Sequence, residues 1–418
     1  FCVNSFAAAA TTTTATETTA ATAATTEASA DTSSTQTTGA SYGTSKLSGA
    51  PDIVAESAVV MDAGTGTVLY GKEASTKRYP ASITKVMTAL LAVENCNMSD
   101  IITYSNAAVN GIEAGSSTAG INVGAKLTVE DSLYALMLVS ANEAAAAIAE
   151  HISGSTTEFA KLMTKRAKEL GCKNTQFKNP HGLPDEEHYT TAYDMGLILK
   201  EAMKHPEFRK IAGTISYTLK KSDSLTDTLE LWNHAKILRQ NSDYYYEYAK
   251  GAKTGFTQVA LNTLVTYAKK DNVELICVIL KDHGADKSYT DTANLFKWAF
   301  NQVKAVTPLT NFSLKTAMTE NSSIDSAKLD QIQLLNSSYD TNFSVLVKKD
   351  FDESTLKTAF KLDEDKKTGR LGYIIISCDD KELGRTEVTY DITSKQGKTY
   401  LEGKSLDDNL KTAPVASK

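Results

Sequence analysis

The sequence predicts an α+β (mixed α/β) fold in which strands from both ends of one domain share a sheet around a helical middle, followed by a small β-rich domain. Three patterns point there. Short strand-like apolar runs lie between Ser57 and Tyr70, helical periodicity runs through residues 82–204, and strand-like runs return after Tyr248.

Residues 1–50 come first, and from Ala7 to Gly49 they are almost entirely Thr, Ala, Ser and Gly, with Tyr42 and Leu47 as the only larger apolar side chains. Such a segment cannot bury enough surface to offset its ordering entropy, so a disordered tether is expected. Its first ten residues close on four alanines, the composition of the end of a secretory signal. Residues 51–305 read as folded. Ser57–Met61 and Thr67–Tyr70 flank Asp62-Ala-Gly-Thr-Gly66 as a β-hairpin. Tyr79-Pro80-Ala81 then leads into Ser82–Val93, apolar at helical spacing, which puts Ser82 at the start of a buried helix. Helical spacing recurs in Val129–Glu150, Thr156–Leu170 and Tyr193–Lys204. Strands are expected over Gly251–Thr254, Ala260–Ala268 and Val273–Lys281, the last two joined by a Lys-Lys-Asp-Asn turn, and an amphipathic helix over Ser288–Val303. In residues 306–400 the strand signals are Phe343–Lys348, Leu371–Ser377 and Glu387–Ile392, with Asp379–Gly384 as a turn. Residues 401–418 form a polar tail.

Bulk composition narrows the function classes. Fifty acidic and 44 basic residues give a formal charge of −6, which offers no basic field for nucleic acid. Cys2, Cys96, Cys172, Cys277 and Cys378 are scattered singly, without the Cys/His spacing of a metal site, so neither a metal nor another cofactor is implied. Cys277 lies inside the apolar run Leu275–Leu280 and reads as a small buried hydrophobe. No run approaches the ~18 consecutive apolar residues of a spanning helix.

The chemistry-bearing residues form three short motifs. In Ser82-Ile83-Thr84-Lys85, a spacing of three places the lysine amine on the same helix face as the hydroxyl. A serine needs such a base because its own pKa leaves it unreactive, and lysine serves only when burial or nearby positive charge lowers its own. Alone, the pattern is common. It is joined, in order, by Ser140-Ala141-Asn142 at the end of an apolar helical stretch and by Lys253-Thr254-Gly255 on a strand. Together they match the S-x-x-K, S-x-N and K-T-G signature of penicillin-binding proteins and serine β-lactamases.

The chain therefore resembles the D-alanyl-D-alanine carboxypeptidases, the low-molecular-weight penicillin-binding proteins. The likeness extends to Asn179-Pro-His-Gly-Leu-Pro184, Tyr189-Thr-Thr-Ala-Tyr-Asp194 and Lys253-Thr-Gly-Phe-Thr257. It implies a β-lactamase/transpeptidase-like domain, an antiparallel sheet flanked by helices, with the family's β-rich C-terminal domain behind it. It also implies an extracytoplasmic enzyme acting on peptidoglycan stem peptides that end in D-Ala-D-Ala, with β-lactam antibiotics as covalent inhibitors. Ser82 would be the nucleophile and Lys85 its base, Ser140 a proton relay, and Asn142 the group that orients Lys85 and the substrate amide. Lys253 and Thr254 would hold the terminal carboxylate, and Gly255 would leave the strand edge bare for the substrate backbone. The N–H groups of Ser82 and Phe256 would form the oxyanion hole. Relatives often continue into a membrane anchor, so one is expected beyond the polar tail.

Other readings stay open on the same motifs. A D,D-endopeptidase uses the same machinery with a wider groove, and a catalytically silent wall-binding module would share the fold. A β-lactamase on the same fold also stays open, though one of class A is disfavoured because no Glu-x-x-Leu-Asn segment lies between Asn142 and Lys253. His234 is a candidate for the substrate carboxylate, set against the plainer reading of a surface histidine. His181 reads as loop-shaping, Tyr244, Tyr245, Tyr246 and Tyr248 as edge packing, and Glu113, Glu143 and Asp194 as surface, helix-terminal or capping residues.

Overall fold

The computed structural model describes residues 45–46, 49–222, 224–403 and 406. Nearly all of the expected tether in residues 1–50, Cys2 with it, and most of the tail after residue 403 lie outside the described residues. Six strands make the main sheet: β1 (Ser45–Lys46), β2 (Ser57–Asp62), β3 (Val68–Lys72), β4 (Ala249–Thr257), β5 (Leu261–Lys270) and β6 (Val273–Asp282). Their order is β1-β3-β2-β6-β5-β4, antiparallel throughout, so the early hairpin and the late strands meet where β2 pairs with β6.

Alternation along these strands divides the core in two. Val59, Met61, Val265, Ile276 and Val278 point to one face, where they join the helical cluster. Ala58, Val60, Leu264, Leu275, Cys277 and Ile279 point to the other. With both faces covered, β2 and β6 read as near-continuous apolar runs, and Cys277 is fully buried as expected. The helical face carries α1 (Lys85–Asn95), α2 (Val129–Leu138), α3 (Asn142–Ser153), α4 (Thr156–Glu169) and α5 (Ala192–Ala202); α6 (Ala285–Gln302) covers the opposite face. Helix α1 is buried from Lys85 through Ala92, because its sequence is apolar all round, and it forms the centre of the helical layer.

Two local departures from the expected helices set up the site. Ser82 does not lie in α1 but in a 3-10 turn, Ala81–Thr84, directly ahead of it. The helical pattern over Val129–Glu150 is interrupted at Val139–Ala141, where Ser140 takes a left-handed φ of 63° and the chain changes direction between α2 and α3.

Beyond α6 a second antiparallel sheet orders Ser337–Tyr339, Lys381–Tyr390, Arg370–Cys378 and Lys357–Asp365. It closes a third apolar cluster that includes Leu371, Ile374, Ile376 and Val388. The turn expected over Asp379–Gly384 contracts to Asp379 and Asp380, whose φ values of 48° and 57° are those of a tight two-residue hairpin, and the next strand starts at Lys381. Short helices at Leu314–Thr319, Ser326–Gln333 and Lys395–Leu401 were not expected, since one or two turns carry too little periodicity to read.

Ile276 is fully buried on the sheet's central strand. Replacing it with Ala should lower unfolding free energy by about 2–5 kcal/mol, read from the shift in denaturant midpoint.

Candidate active site

The turn that carries Ser82 is clamped from two sides. On the sheet side, the Thr263 hydroxyl donates to the Pro80 carbonyl at 2.9 Å. The strand also passes so close that a Cβ on Gly255 would lie 2.7 Å from the Ser82 nitrogen and 2.5 Å from Thr263 Oγ1. On the other side, Gly182, at φ +92°, would put a Cβ 1.8 Å from the Ala81 carbonyl oxygen. Ala81 itself is held at φ 51°, a left-handed conformation that costs a residue with a Cβ about 1–2 kcal/mol. The loop holding Gly182 is braced by Asn179, whose Oδ1 accepts from the Gly182 amide at 2.7 Å, and by Thr88, whose hydroxyl donates to the Pro180 carbonyl at 2.6 Å.

Lys85 is fully buried, and its Nζ lies 2.7 Å from Asn142 Oδ1, 2.8 Å from the His181 carbonyl oxygen and 3.1 Å from Ser82 Oγ. Burial, and then the positive charge of Lys253, hold its pKa well below the usual lysine range. The two carbonyl oxygens can only accept. In the neutral amine they take both N–H bonds, which leaves the nitrogen lone pair for the Ser82 hydroxyl. In this geometry a neutral Lys85 amine can accept the Ser82 proton.

Asn142 opens α3, and its backbone N–H donates to the Ser117 carbonyl at 2.9 Å. Ser140, two residues before it, is buried with a hydroxyl that has no hydrogen-bond partner among the described residues. Lys253 is also buried; its Nζ donates to the Thr254 carbonyl at 2.7 Å, and desolvation lowers its pKa to about 7. Thr254 is half-buried beside it, and Phe256 is 55% exposed, its side chain standing in solvent. His234 is exposed and its pKa is lowered by desolvation and by the Lys253 charge; its backbone N–H is tied to the Leu138 carbonyl at 3.0 Å.

The structure thus brings Ser82, Lys85 and Asn142 into one hydrogen-bonded group and sets Gly255 against it, with Lys253 within electrostatic range. His234 joins only through the field of Lys253. A second reason for Gly255 joins the bare edge expected of it: the close packing of strand on turn also requires a glycine. Of the surface, helix-terminal and capping readings open for Glu143 and Asp194, the helix-terminal one holds: each lies in the first turn of its helix. Both are buried: Glu143 Oε1 accepts from the Thr118 hydroxyl and the amides of Ala119 and Gly120, and Asp194 Oδ2 accepts from Thr175 Oγ1 and the Asn174 amide. Each ties a loop to the first turn of a helix.

Sequence reading missed Thr263, Gly182 and His188. His188 Nδ1 accepts from the Lys178 amide at 3.2 Å, so its Nε2 carries the proton and donates to Thr84 Oγ1 at 2.9 Å. Burial lowers its pKa to about 4, which keeps that tautomer neutral and fixed. His181 accepts from the Leu183 amide through Nδ1, and burial lowers its pKa to about 3, consistent with shaping the loop. Of the tyrosines, Tyr246 stacks on Phe296 and Tyr248 tilts against Phe300, as edge packing predicts. Glu94, Glu201 and His205 lie close enough to share a metal ion, but Arg166 already neutralises the pair of carboxylates, at 2.6 and 3.7 Å.

A buried lysine poised on a serine, between a helical layer and the edge strand of an antiparallel sheet, defines an active-site-serine hydrolase of the penicillin-binding type. The family model described as D-alanyl-D-alanine carboxypeptidase matches residues 44–284, and the chain belongs to that family. DacF of Bacillus subtilis, a D-alanyl-D-alanine carboxypeptidase, is 33% identical over 346 residues, covering 80% of this chain and 84% of that protein. DacA of Haemophilus influenzae is 30% identical over 60% of this chain and 63% of its own length. Among solved structures, DacD of Francisella tularensis superposes with a TM-score of 0.58 at 26% identity, over 81% of this chain and 93% of that one. The Streptomyces K15 DD-transpeptidase does so at 0.55 and 31%, over 60% and 98%.

Gly255→Ala should displace the Ser82 turn. The expected outcome is a drop of about 10²-fold in the rate at which Ser82 is acylated by a fluorescent penicillin, with the circular dichroism spectrum retained.

Proposed function

We propose that the protein is an extracytoplasmic serine D,D-carboxypeptidase that releases the terminal D-alanine of peptidoglycan pentapeptides through an acyl-enzyme on Ser82. The reading rests on Lys85, a buried amine whose two N–H bonds are committed to carbonyl oxygens and whose lone pair faces Ser82. Lys85 removes the Ser82 proton as Oγ attacks the carbonyl between the last two D-alanines. The amides of Ser82 and Phe256, brought together by the glycine at 255, hold the developing oxyanion. Ser140, whose hydroxyl is unpartnered, passes the proton on to the leaving amine. Water then hydrolyses the Ser82 ester, with Lys85 again as base.

Lys253 and Thr254 hold the substrate's terminal carboxylate, and Asn142 orients both Lys85 and the peptide amide. His234 adds to this carboxylate site only through its proximity to Lys253. A β-lactam, which presents a strained amide and a carboxylate in the same arrangement, acylates Ser82 and is released slowly. Residues 51–305 serve as the catalytic domain and residues 306–400 as an accessory domain.

Mass spectrometry after incubation with a penicillin should show one adduct, on Ser82, that is absent in Ser82→Ala. An unmodified Ser82 in the folded protein would sink the assignment. Lys85→Met should lower kcat for D-alanine release by about 10²–10⁴-fold, the usual worth of a positioned base.

The pH profile separates the two lysines. Free Lys253 loses its charge above about pH 7, so kcat/KM should fall there. A bound carboxylate raises the Lys253 pKa, so kcat should persist to higher pH; parallel alkaline limbs in the two profiles would contradict this role.

A further inference from the structure

A cavity of about 420 Å³ opens beside the Ser82 turn, between the segment preceding it, the loop through Tyr189 and the hairpin that follows β4. It takes no part in the chemistry described above. Tyr79, Tyr189 and Val259 supply apolar wall; Val259 is 47% exposed at the hairpin tip. Lys77 stands 4.1 Å above the Tyr189 ring and has no ion pair among the described residues, and the Glu186 carboxylate has none either. The other two cations of the lining are committed: Arg78 and Lys281 each lie 3.1 Å from the Glu56 carboxylate. Lys77, Arg78 and Lys281 against Glu56 and Glu186 leave one positive charge in excess.

The position matters as much as the charges. With the terminal carboxylate at Lys253 and Thr254 and the scissile carbonyl at Ser82, abreast of Gly255, a peptide along β4 continues toward Phe256 and the hairpin. Val259 is four residues past Gly255, at most about 13 Å along the chain. The residue preceding the scissile D-alanine has its Cα about 3.8 Å further on, and a four-carbon side chain adds roughly 6 Å, so its end group comes within about 3 Å of Val259 even at that full extended span.

We propose that this cavity is a subsite for the diamino acid of the stem peptide, and that it selects a side chain ending in both an ammonium and a carboxylate over one ending in an ammonium alone. The proposal rests on the carboxypeptidase reading above. Lys77 pairs with the end-group carboxylate, Glu186 with its ammonium, and the two tyrosines flank the methylenes. A lone ammonium finds Glu186 but also an excess of positive charge, and leaves Lys77 unpaired.

The test compares D-alanine release from two pentapeptides that differ only at the third residue, one carrying meso-diaminopimelate and the other L-lysine. Wild type should show kcat/KM at least about tenfold higher for the diaminopimelate peptide, mainly through KM. In Lys77→Met and in Glu186→Gln that ratio should fall to within about twofold of unity. The ratio compares two substrates on one protein preparation, so partial misfolding of a variant cancels. Equal rates for the two peptides in wild type, a preference for L-lysine, or a ratio unchanged in both variants overturns the subsite. Release from neither peptide overturns the subsite together with the carboxypeptidase reading, and penicillin labelling of Ser82 then shows whether the nucleophile itself survives.

Discussion

Two buried lysines within electrostatic reach of each other govern this structure. Neither Lys85 nor Lys253 has an ion pair among the described residues, and each is at most 1% exposed. Burial disfavours both charges, and the charge of Lys253 further disfavours that of Lys85, so the pair cannot be an economical way to stabilise a fold. The compensating charge on Lys85, that of Glu143, acts through space: Glu143 Oε1 accepts from the loop at Thr118–Gly120, and its Oε2 has no hydrogen-bond partner among the described residues. What the arrangement secures is an amine pushed toward its neutral form, where an ordinary lysine would be charged. The cost is carried by the fully apolar surroundings of α1 and by the two-sided sheet.

Such a base is useful only if its lone pair has a fixed direction, and the backbone supplies that. Both serines of the site sit at departures from regular geometry: Ser82 follows a left-handed Ala81, and Ser140 is itself left-handed. Strain of this kind persists only where the surroundings over-determine it. Here Thr263, Gly255 and Gly182 close on the Ser82 turn, while His188 holds Thr84 one residue before the base. Residues from two distant stretches of chain, 182–188 and 255–263, thus converge on one four-residue turn.

That convergence explains what was legible in the sequence. Ser82, Lys85, Ser140, Asn142 and Lys253 were readable because their roles are written as short local spacings on recognisable elements. The sheet was readable too, since β2, β5 and β6 are long apolar runs. Thr263, Gly182 and His188 were not, because a threonine on a strand, a glycine in a loop and a buried histidine acquire meaning only from partners about 100 to 180 residues away. Gly255 was singled out for a different reason than the one the packing reveals, because sequence shows that a side chain is absent but not what it would strike. Glu143 and Asp194 look like surface acids until the loops they anchor are folded onto them.

The edge strand β4 shows how the fold turns a liability into a binding track. An unpaired edge invites association with other chains, and here it is covered selectively. At its start, the helix Pro206–Gly213 packs so tightly that a Cβ on Gly213 would lie 2.5 Å from the Lys250 carbonyl oxygen. From Lys253 onward the strand is flanked instead by the Ser82 turn, and its Phe256 side chain stands in solvent. In the proposed reading the covered half excludes a peptide and the open half admits one, Lys253 marks where the peptide's carboxylate stops, and Ser82 stands abreast of Gly255, two residues further along. Direction and register of the substrate follow from these two points alone, so discrimination among stem peptides has to come from whatever lies past Phe256, where the chain turns and the walls change from backbone to side chains.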